Sequence, residues 1–372
     1  MKWLNDYRMR LVLVGFVAAV VLGSGSTKAD FTFGEITNLG PPVNTEYQDS
    51  GASFPADGLS LFFDSDRPDR LDWDLFMVTR ETPDTDWGNP VNLGPNVNKP
   101  GASEWDASIS ADALELYFTR GNRVSSNVDR NLYVTTRETT DGEWGAAVGL
   151  GATVNSSADD GGACISVDGL SLYFMSRRSG GQGKKDIWVT TRPTINTDWG
   201  VPTNLGSTVN SSSSDFAPTI TADGLTLIFS SKRPGMHESW CNLWVTTRRT
   251  TSNPWREPFN LGPFINTNDG VDFADISPDG STLFVSCYKL QRSGSYGRYD
   301  IWQAPIIPIV DLNGDGIVDA TDMCIMIDYW GTDEPLCDIG PMPWGDGVVD
   351  VEDLIVLAEH LFEEYPSAEP VE

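Results

Sequence analysis

Residues 31–308 repeat, and the repeat leaves few folds open. The triplet Asn-Leu-Gly, or a near copy, ends at Gly40, Gly94, Gly151, Gly206 and Gly262. Each copy continues into Val-Asn or Ile-Asn: Val43-Asn44, Val97-Asn98, Val154-Asn155, Val209-Asn210 and Ile265-Asn266. A turn then recurs as Ala56-Asp57-Gly58, Ala111-Asp112-Ala113, Val167-Asp168-Gly169, Ala222-Asp223-Gly224 and Pro278-Asp279-Gly280. An alternating strand follows, as in 59–63 and 170–174, then a third strand, clearest at 186–192, and a fourth at 199–206. Four short alternating strands joined by Gly and Asp turns predict one propeller blade. The period of about 55 residues is too long for leucine-rich or ankyrin repeats.

The ends of the repeat predict closure. Segment 33–40 reads as a fourth strand with no blade before it, and the last unit stops after its third strand at 300–304. Let the first complete the last, and five blades form a ring with no bare edge, whereas a solenoid leaves both ends unpaired. The expected fold class is therefore mainly β, a five-bladed β-propeller over 31–308, followed by a small α-helical calcium domain. The units resemble TolB-type, WD-repeat-like propeller repeats, which carry a Ser-Pro-Asp-Gly turn and a Phe-x-Ser-x-Arg strand end. The closest copies here are 277–280 and 229–233. The resemblance implies fold and not function, since that family includes scaffolds, binding proteins and hydrolase domains. Six blades are common in TolB-type rings, so five is a departure.

Beyond Pro308 the chain changes character: residues 309–372 are rich in Asp and Glu and hold no Lys or Arg. Segment 311–322 has the spacing of a calcium loop, because the ion wants six to eight oxygens on a flexible loop with one sharp turn. Asp311, Asn313 and Asp315 fall at positions 1, 3 and 5, Gly316 at 6, the carbonyl of Ile317 at 7, Asp319 at 9 and Asp322 at 12. A second loop ends at Asp353, with Asp350, Val348 and Asp346 at its positions 9, 7 and 5. Its positions 1 and 3 would be Met342 and Trp344, so either the loop is bulged and Asp338 is its first ligand, or the site is weakened. Each loop leads into an apolar helix. Two such units resemble a type I dockerin, an EF-hand-like module, over 309–364. That resemblance implies bound Ca²⁺, a cohesin-like protein partner and a polysaccharide-degrading context. The pairs after position 9, Ala320-Thr321 and Val351-Glu352, depart from the family's usual Ser-Thr, which puts symmetric dual-mode binding in doubt. A calcium-stapled terminal domain with no partner is the plainer alternative.

The first 29 residues read as a secretory signal peptide: Lys2, Arg8 and Arg10, an apolar run over 11–23, and a small-x-small site at 27–29. The apolar run is short for a bilayer span, and an uncleaved anchor is the alternative. The chain is expected to be secreted, extracellular or at the cell surface, with 365–372 a disordered tail. A net charge of −28 argues against a nucleic-acid partner, which needs a basic face. Cys164 and Cys287 fall in columns of small residues and read as buried strand positions, whereas Cys324 and Cys337 stand close enough in sequence to pair.

Within the ring, columns that recur in nearly every blade read as fold. Such are an acidic column (Asp49, Glu104, Asp160, Asp215, with Asp272 displaced by one) and a basic one (Arg67, Arg178, Arg233, Lys289, interrupted by Asn122). The repeated Trp87, Trp144, Trp199 and Trp255 read as inter-blade packing. Residues that break the repeat are the candidate site. Asp106 and Asp275 replace small residues on innermost strands and are the weak catalytic candidates. Trp73, Trp105, Trp240 and Tyr299 are aromatics outside the repeated columns, on the face where the chain enters each blade. Carboxylates with aromatics suit a sugar-binding funnel. The expected role is a non-catalytic propeller that binds a glycan or protein. The alternatives are a glycoside hydrolase or lyase, and a calcium-stabilised structural surface protein. With only His237 and His360 present, neither a serine triad nor a multi-histidine zinc site is expected.

Overall fold

The computed structural model describes residues 31–67, 72–83, 85–121, 130–234, 241–267, 270–288, 293–313, 317–332, 337–340 and 348–363. The expected signal peptide, Trp240, Asp315, Asp346, Asn122, Lys289 and the tail at 365–372 lie outside them. Blade 1 consists of Asp49–Ser53, Ser60–Ser65, Asp74–Thr79 and Val91–Asn92. Blade 2 is Ser103–Ile109, Glu115–Gly121, Asn131–Thr136 and Val148–Gly149, and blade 3 is Asp160–Ile165, Ser171–Ser176, Asp186–Thr191 and Thr203–Asn204. Blade 4 is Asp215–Ile220, Thr226–Ser231, Asn242–Thr247 and Phe259–Asn260. Each is an antiparallel meander, innermost strand first.

Blade 5 is completed by the start of the chain, as the repeat predicts. Its own strands are Val271–Ile276, Thr282–Tyr288 and Tyr299–Pro308. Thr37–Asn38 pairs with Gln303 and Trp302, and Phe31–Phe33 pairs with Pro308–Ile306 further along the same strand. The Val-Asn motif explains itself here. The amide of Asn44 accepts from the Ile301 N–H (2.9 Å) and donates to the Ile301 carbonyl (2.7 Å). A side chain thus supplies the two hydrogen bonds a strand neighbour would, which satisfies a buried backbone pair. Asn98, Asn155, Asn210 and Asn266 do the same to Leu75, Leu132, Ile187 and Leu243.

Neighbouring blades interlock through the repeated tryptophans. Trp144 meets Phe62 of the preceding blade edge-on at 6.1 Å, and Trp199 meets Tyr117 likewise at 6.0 Å. Trp255 joins the cluster of Tyr173, and Trp87 that of Phe284. Over each indole lies a guanidinium: Arg80, Arg137, Arg192 and Arg248, at 4.2–4.5 Å from the ring centroids. These geometries add cation–π attraction to apolar burial.

The acidic and basic columns form buried ion pairs: Arg67–Asp49, Arg178–Asp160 (2.7 Å) and Arg233–Asp215 (2.8 Å). Blade 2 corrects the reading that its basic column is broken. Arg120, two residues before Asn122, reaches Glu104 at 2.6 Å, and its Nη2 donates to the Val97 carbonyl as Arg67 does to Val43. It stands in the column of Ser65, Ser176 and Ser231, so the same charge arrives from a different rung of the ladder. The displacement of Asp272 is real: in the register of blade 5, Val271 occupies the ion-pair column and Asp272 the next.

The C-terminal residues form two helices, Ala320–Asp328 and Val351–Glu359, around a core of Val310, Val318, Met326, Cys337, Ile339, Val349 and Leu357. From Val318 and Val349 onward the halves match at a constant offset. Asp319 and Asp350 cap the helices, each in a capping box with Asp322 or Asp353. Val318 bonds the end of the second half (to the Glu363 carbonyl and from the Phe362 N–H), while Val349 bonds Thr332 and Gly331 at the end of the first. Neither half completes its own pairing. Cys324 is exposed and Cys337 buried.

Candidate functional site

Each innermost strand is interrupted midway by a bulge: register shifts fall between Ser50 and Ser53, Trp105 and Ser108, Gly161 and Cys164, Phe216 and Thr219, and Asp272 and Ala274. The bulged residues Gly51, Asp106, Gly162, Ala217 and Phe273 all have φ between 48° and 71°. Glycine suits that region and a side chain pays strain to enter it. Blade 2 therefore carries Asp106 where its backbone would be easier without it.

This ring forms a waist on the propeller axis. Below it, a cavity of about 350 Å³ runs to the first hairpin turns and is lined by Ser53, Ser108, Cys164, Thr219 and Asp275, among others. Asp275 proves less irregular than its column suggests. The N–H groups of Ile109 and Ile165 donate to Ser53 and Ser108 of the preceding blade (3.2 and 3.0 Å), and Ile220 N–H to Cys164 Sγ (3.5 Å). The Phe54 N–H is bonded to Asp275 in the same way. The carboxylate stands in for a hydroxyl in a ring of inter-blade bonds. Burial in this wall pushes its carboxyl up to about 7, against those backbone donors.

Above the waist, on the face where the chain enters each blade, unlike residues gather. The N–H of Asp106 donates to Asp64 Oδ1 (3.2 Å), and Asp106 Oδ2 accepts from Thr119 Oγ1 (2.9 Å) and the Gly162 N–H (3.2 Å). Burial raises the Asp106 carboxyl, while Arg130, the Thr119 bond and Lys185 restrain it. Burial and then the charge of Asp106 hold Asp64 well above the carboxylate range and push Asp272 up to about 7. Asp272 Oδ1 is buried with no hydrogen-bond partner among the described residues. Opposite charge stands close by: burial first, then Arg130 and Arg177, lower Lys185 to about 8.

The sequence candidates separate accordingly. Asp106, Trp105 and Tyr299 share this upper cluster, all half-buried, and Arg130 stacks over Trp105 at 4.9 Å. Trp73 is on the same face but only 7 % exposed; its expected role as an open aromatic is replaced by packing. Asp275 lies below the waist. Sequence reading missed Asp64, Asp272 as a site member, Arg130 and Lys185. The signal was present at the last two: Trp73, Arg130, Lys185 and Cys241 each immediately precede a third strand, Tyr299 opens the one in blade 5, and loops of unequal length hide their equivalence.

In the C-terminal module Asp322 and Asp353, the carboxylates expected at position 12, are fully buried. Asp322 accepts from the N–H groups of Leu312 (2.7 Å), Asn313 (3.2 Å) and Asp319 (2.8 Å). Asp353 accepts from Gly340 (2.7 Å) and Asp350 (2.6 Å), and the Ile339 N–H is bonded to it too. That matches Ile339-Gly340 to Leu312-Asn313 and hence Asp338, 6 % exposed, to Asp311. Among the described residues no three acidic, His or Cys side chains cluster closely enough to hold a metal; Asp315 and Asp346 are outside that set.

No protein-family model matches the chain, and no curated protein matches it. Among solved structures it is similar to TolB from Acinetobacter baumannii (15% identity, 70% of this chain and 54% of that one, TM-score 0.42). It is also similar to the catalytic domain of the Coprinopsis cinerea GH62 α-L-arabinofuranosidase (12%, 75% and 98%, 0.48) and to an α-L-arabinofuranosidase from Lactobacillus brevis (11%, 72% and 92%, 0.46). The chain thus spans about half of that TolB. Likenesses this distant bear on neither chemistry nor partner.

Proposed function

We propose that the propeller binds carbohydrate at its upper axial face and that the C-terminal module is a calcium-loaded, dockerin-like attachment to a cohesin-type partner, in a secreted protein. One observation carries the carbohydrate reading: structurally equivalent positions around the axis hold unlike residues there, and these combine aromatic faces (Trp105, Tyr299) with polar groups of both signs (Asp106, Asp272, Arg130, Lys185). Aromatic rings stack on sugar rings while a few polar groups fix orientation. The calcium reading is supported by the spacing of 311–322 and by the match of Asp338 to Asp311. Asp311, Asn313, Asp315, Ile317, Asp319 and Asp322 would hold one ion, and Asp338, Asp346, Val348, Asp350 and Asp353 the other, in oxygen-rich sites.

A second reading, a glycoside hydrolase or lyase, is favoured by the carboxyls Asp64, Asp106 and Asp272. Burial raises all three and the charge of Asp106 raises Asp64 and Asp272 further, and carboxyls coupled in this way can share the roles of proton donor and ionised partner. The test applies the calcium-loaded chain to a panel of soluble and insoluble polysaccharides, scoring retention and release of reducing ends in the same tubes. Retention without release, lost in Trp105→Ala, supports binding alone. Release that disappears in Asp106→Asn or Asp272→Asn makes it an enzyme. Neither retention nor release refutes both readings of the propeller. Calorimetric calcium titration should find two sites, one lost in Asp311→Ala and the other in Asp338→Ala. A stoichiometry unchanged by both substitutions would refute the loop assignment.

A further inference from the structure

Arg130 and Lys185 occupy one kind of slot in adjacent blades. In both, the backbone carbonyl accepts the N–H that opens the next blade's innermost strand: Asp160 N–H to Arg130 (3.0 Å) and Asp215 N–H to Lys185 (2.8 Å). Trp73 does the same for Glu104 at 2.9 Å. The structural duty of the slot is therefore met by the main chain, and its side chain is left to other work. Two consecutive slots hold cations.

Among the described residues, most arginines of the ring have a structural place, in the buried ion pairs or over the repeated tryptophans. Arg130 and Lys185 have neither. Among the described residues each makes no ion pair within 4 Å, and Arg130 Nε is buried without a hydrogen-bond partner. Each is steadied instead by a ring, Arg130 over Trp105 and the Lys185 ammonium over Phe216, both at 4.9 Å. A third cation, Arg177, stands near enough to repel Lys185 and is tied to Asp159 at 3.4 Å. Like charges crowded in a partly desolvated site are relieved by an anion.

Asp106 and Asp272 limit what that anion can be. A multiply charged group would set its surplus charge against them, whereas a single carboxylate on a hydroxyl-bearing ring would not. Its hydroxyls can donate to the carboxylates, including the orphaned Asp272 Oδ1. We propose that the upper axial site recognises an acidic sugar, a uronate, with its carboxylate against Arg130 and Lys185 and its hydroxyls on Asp106 and Asp272. This rests on the carbohydrate reading of the same site.

The test measures affinity of the full chain for short oligosaccharides of matched length in three classes: uronate (from polygalacturonate or alginate), neutral (from xylan or cellulose) and sulfated. The uronate class should bind at least about tenfold more tightly than the neutral one. Lys185→Met and Arg130→Gln should each lower uronate affinity by about tenfold or more and any neutral affinity by much less, so that the preference for uronate is lost, and Lys185→Arg should retain that preference. Unaltered far-UV circular dichroism would show that the variants fold. Equal affinity for neutral and uronate sugars, preference for the sulfated class, or indifference to both substitutions overturns the uronate assignment and leaves the carbohydrate reading intact. Binding of none of the three classes brings down the carbohydrate reading itself.

Discussion

Replacing Asp275 with serine should make the propeller more stable, and only at neutral to alkaline pH. The structure gives both halves of this expectation. Serine fills the same column in blades 1 and 2 and accepts the inter-blade N–H bond there, so the Asp275→Ser variant would keep the bond from Phe54. What it removes is a carboxyl that burial pushes from its ordinary 3.8 to about 7. A raised carboxyl pKa means that the folded state holds the proton more tightly than the unfolded chain. Its contribution is therefore harmless below about pH 4, turns progressively unfavourable as pH rises to 7, and stays constant above that. Each tenfold difference in proton affinity is worth about 1.4 kcal/mol, which bounds the penalty at about 4 kcal/mol. Contact with water in the axial cavity brings the expectation to about 2 kcal/mol. Urea unfolding followed by tryptophan fluorescence at pH 4.5 and pH 8 would measure it as a difference between the two proteins, in which every other titrating group cancels. A stability difference that is the same at both pH values would refute the reasoning.

Three further outcomes follow from the same geometry. Arg120→Met should destabilise the ring by about 3–5 kcal/mol by leaving Glu104 buried and uncompensated, and Arg120→Met with Glu104→Leu should recover most of it; a double variant as unstable as the single one would contradict the pairing. Phe362 sits at φ 71°, matching Gly331 at 75°, with its side chain 82 % exposed. Phe362→Gly should thus raise the midpoint of C-terminal helix unfolding by the equivalent of about 0.5–1 kcal/mol, read by circular dichroism. Affinity for an acidic oligosaccharide should fall between pH 7 and 9, as Lys185, which titrates at about 8 among Arg130, Arg177, Asp106 and Asp159, loses its charge. The same titration in Lys185→Arg should keep only the smaller fall, centred near pH 7, that the ionisation of Asp272 produces, and a fall of equal size in that variant would assign the effect elsewhere.

The features legible in the sequence are those the fold uses five times. The Asn column, the tryptophans and most of the ion pairs repeat because every blade must satisfy the same backbone groups and cover the same neighbour. The failures are equally specific. Arg120 escaped because a guanidinium can reach one carboxylate from two rungs of a strand. Asp275 looked like an intruder because a carboxylate and a hydroxyl differ as letters yet accept the same N–H bond. Trp73 looked open because its loop position says nothing about what packs over it.

The sequence by itself determined the ring: five units, four strands each, closed by a first strand that has no other blade to join. Tertiary structure alone decided the site. Asp64, Asp106, Asp272, Arg130 and Lys185 come from four different blades and from columns with no common motif, and only closure around an axis brings them together. There, burial and mutual charge give the three carboxyls and Lys185 proton affinities that they would not have in an extended chain.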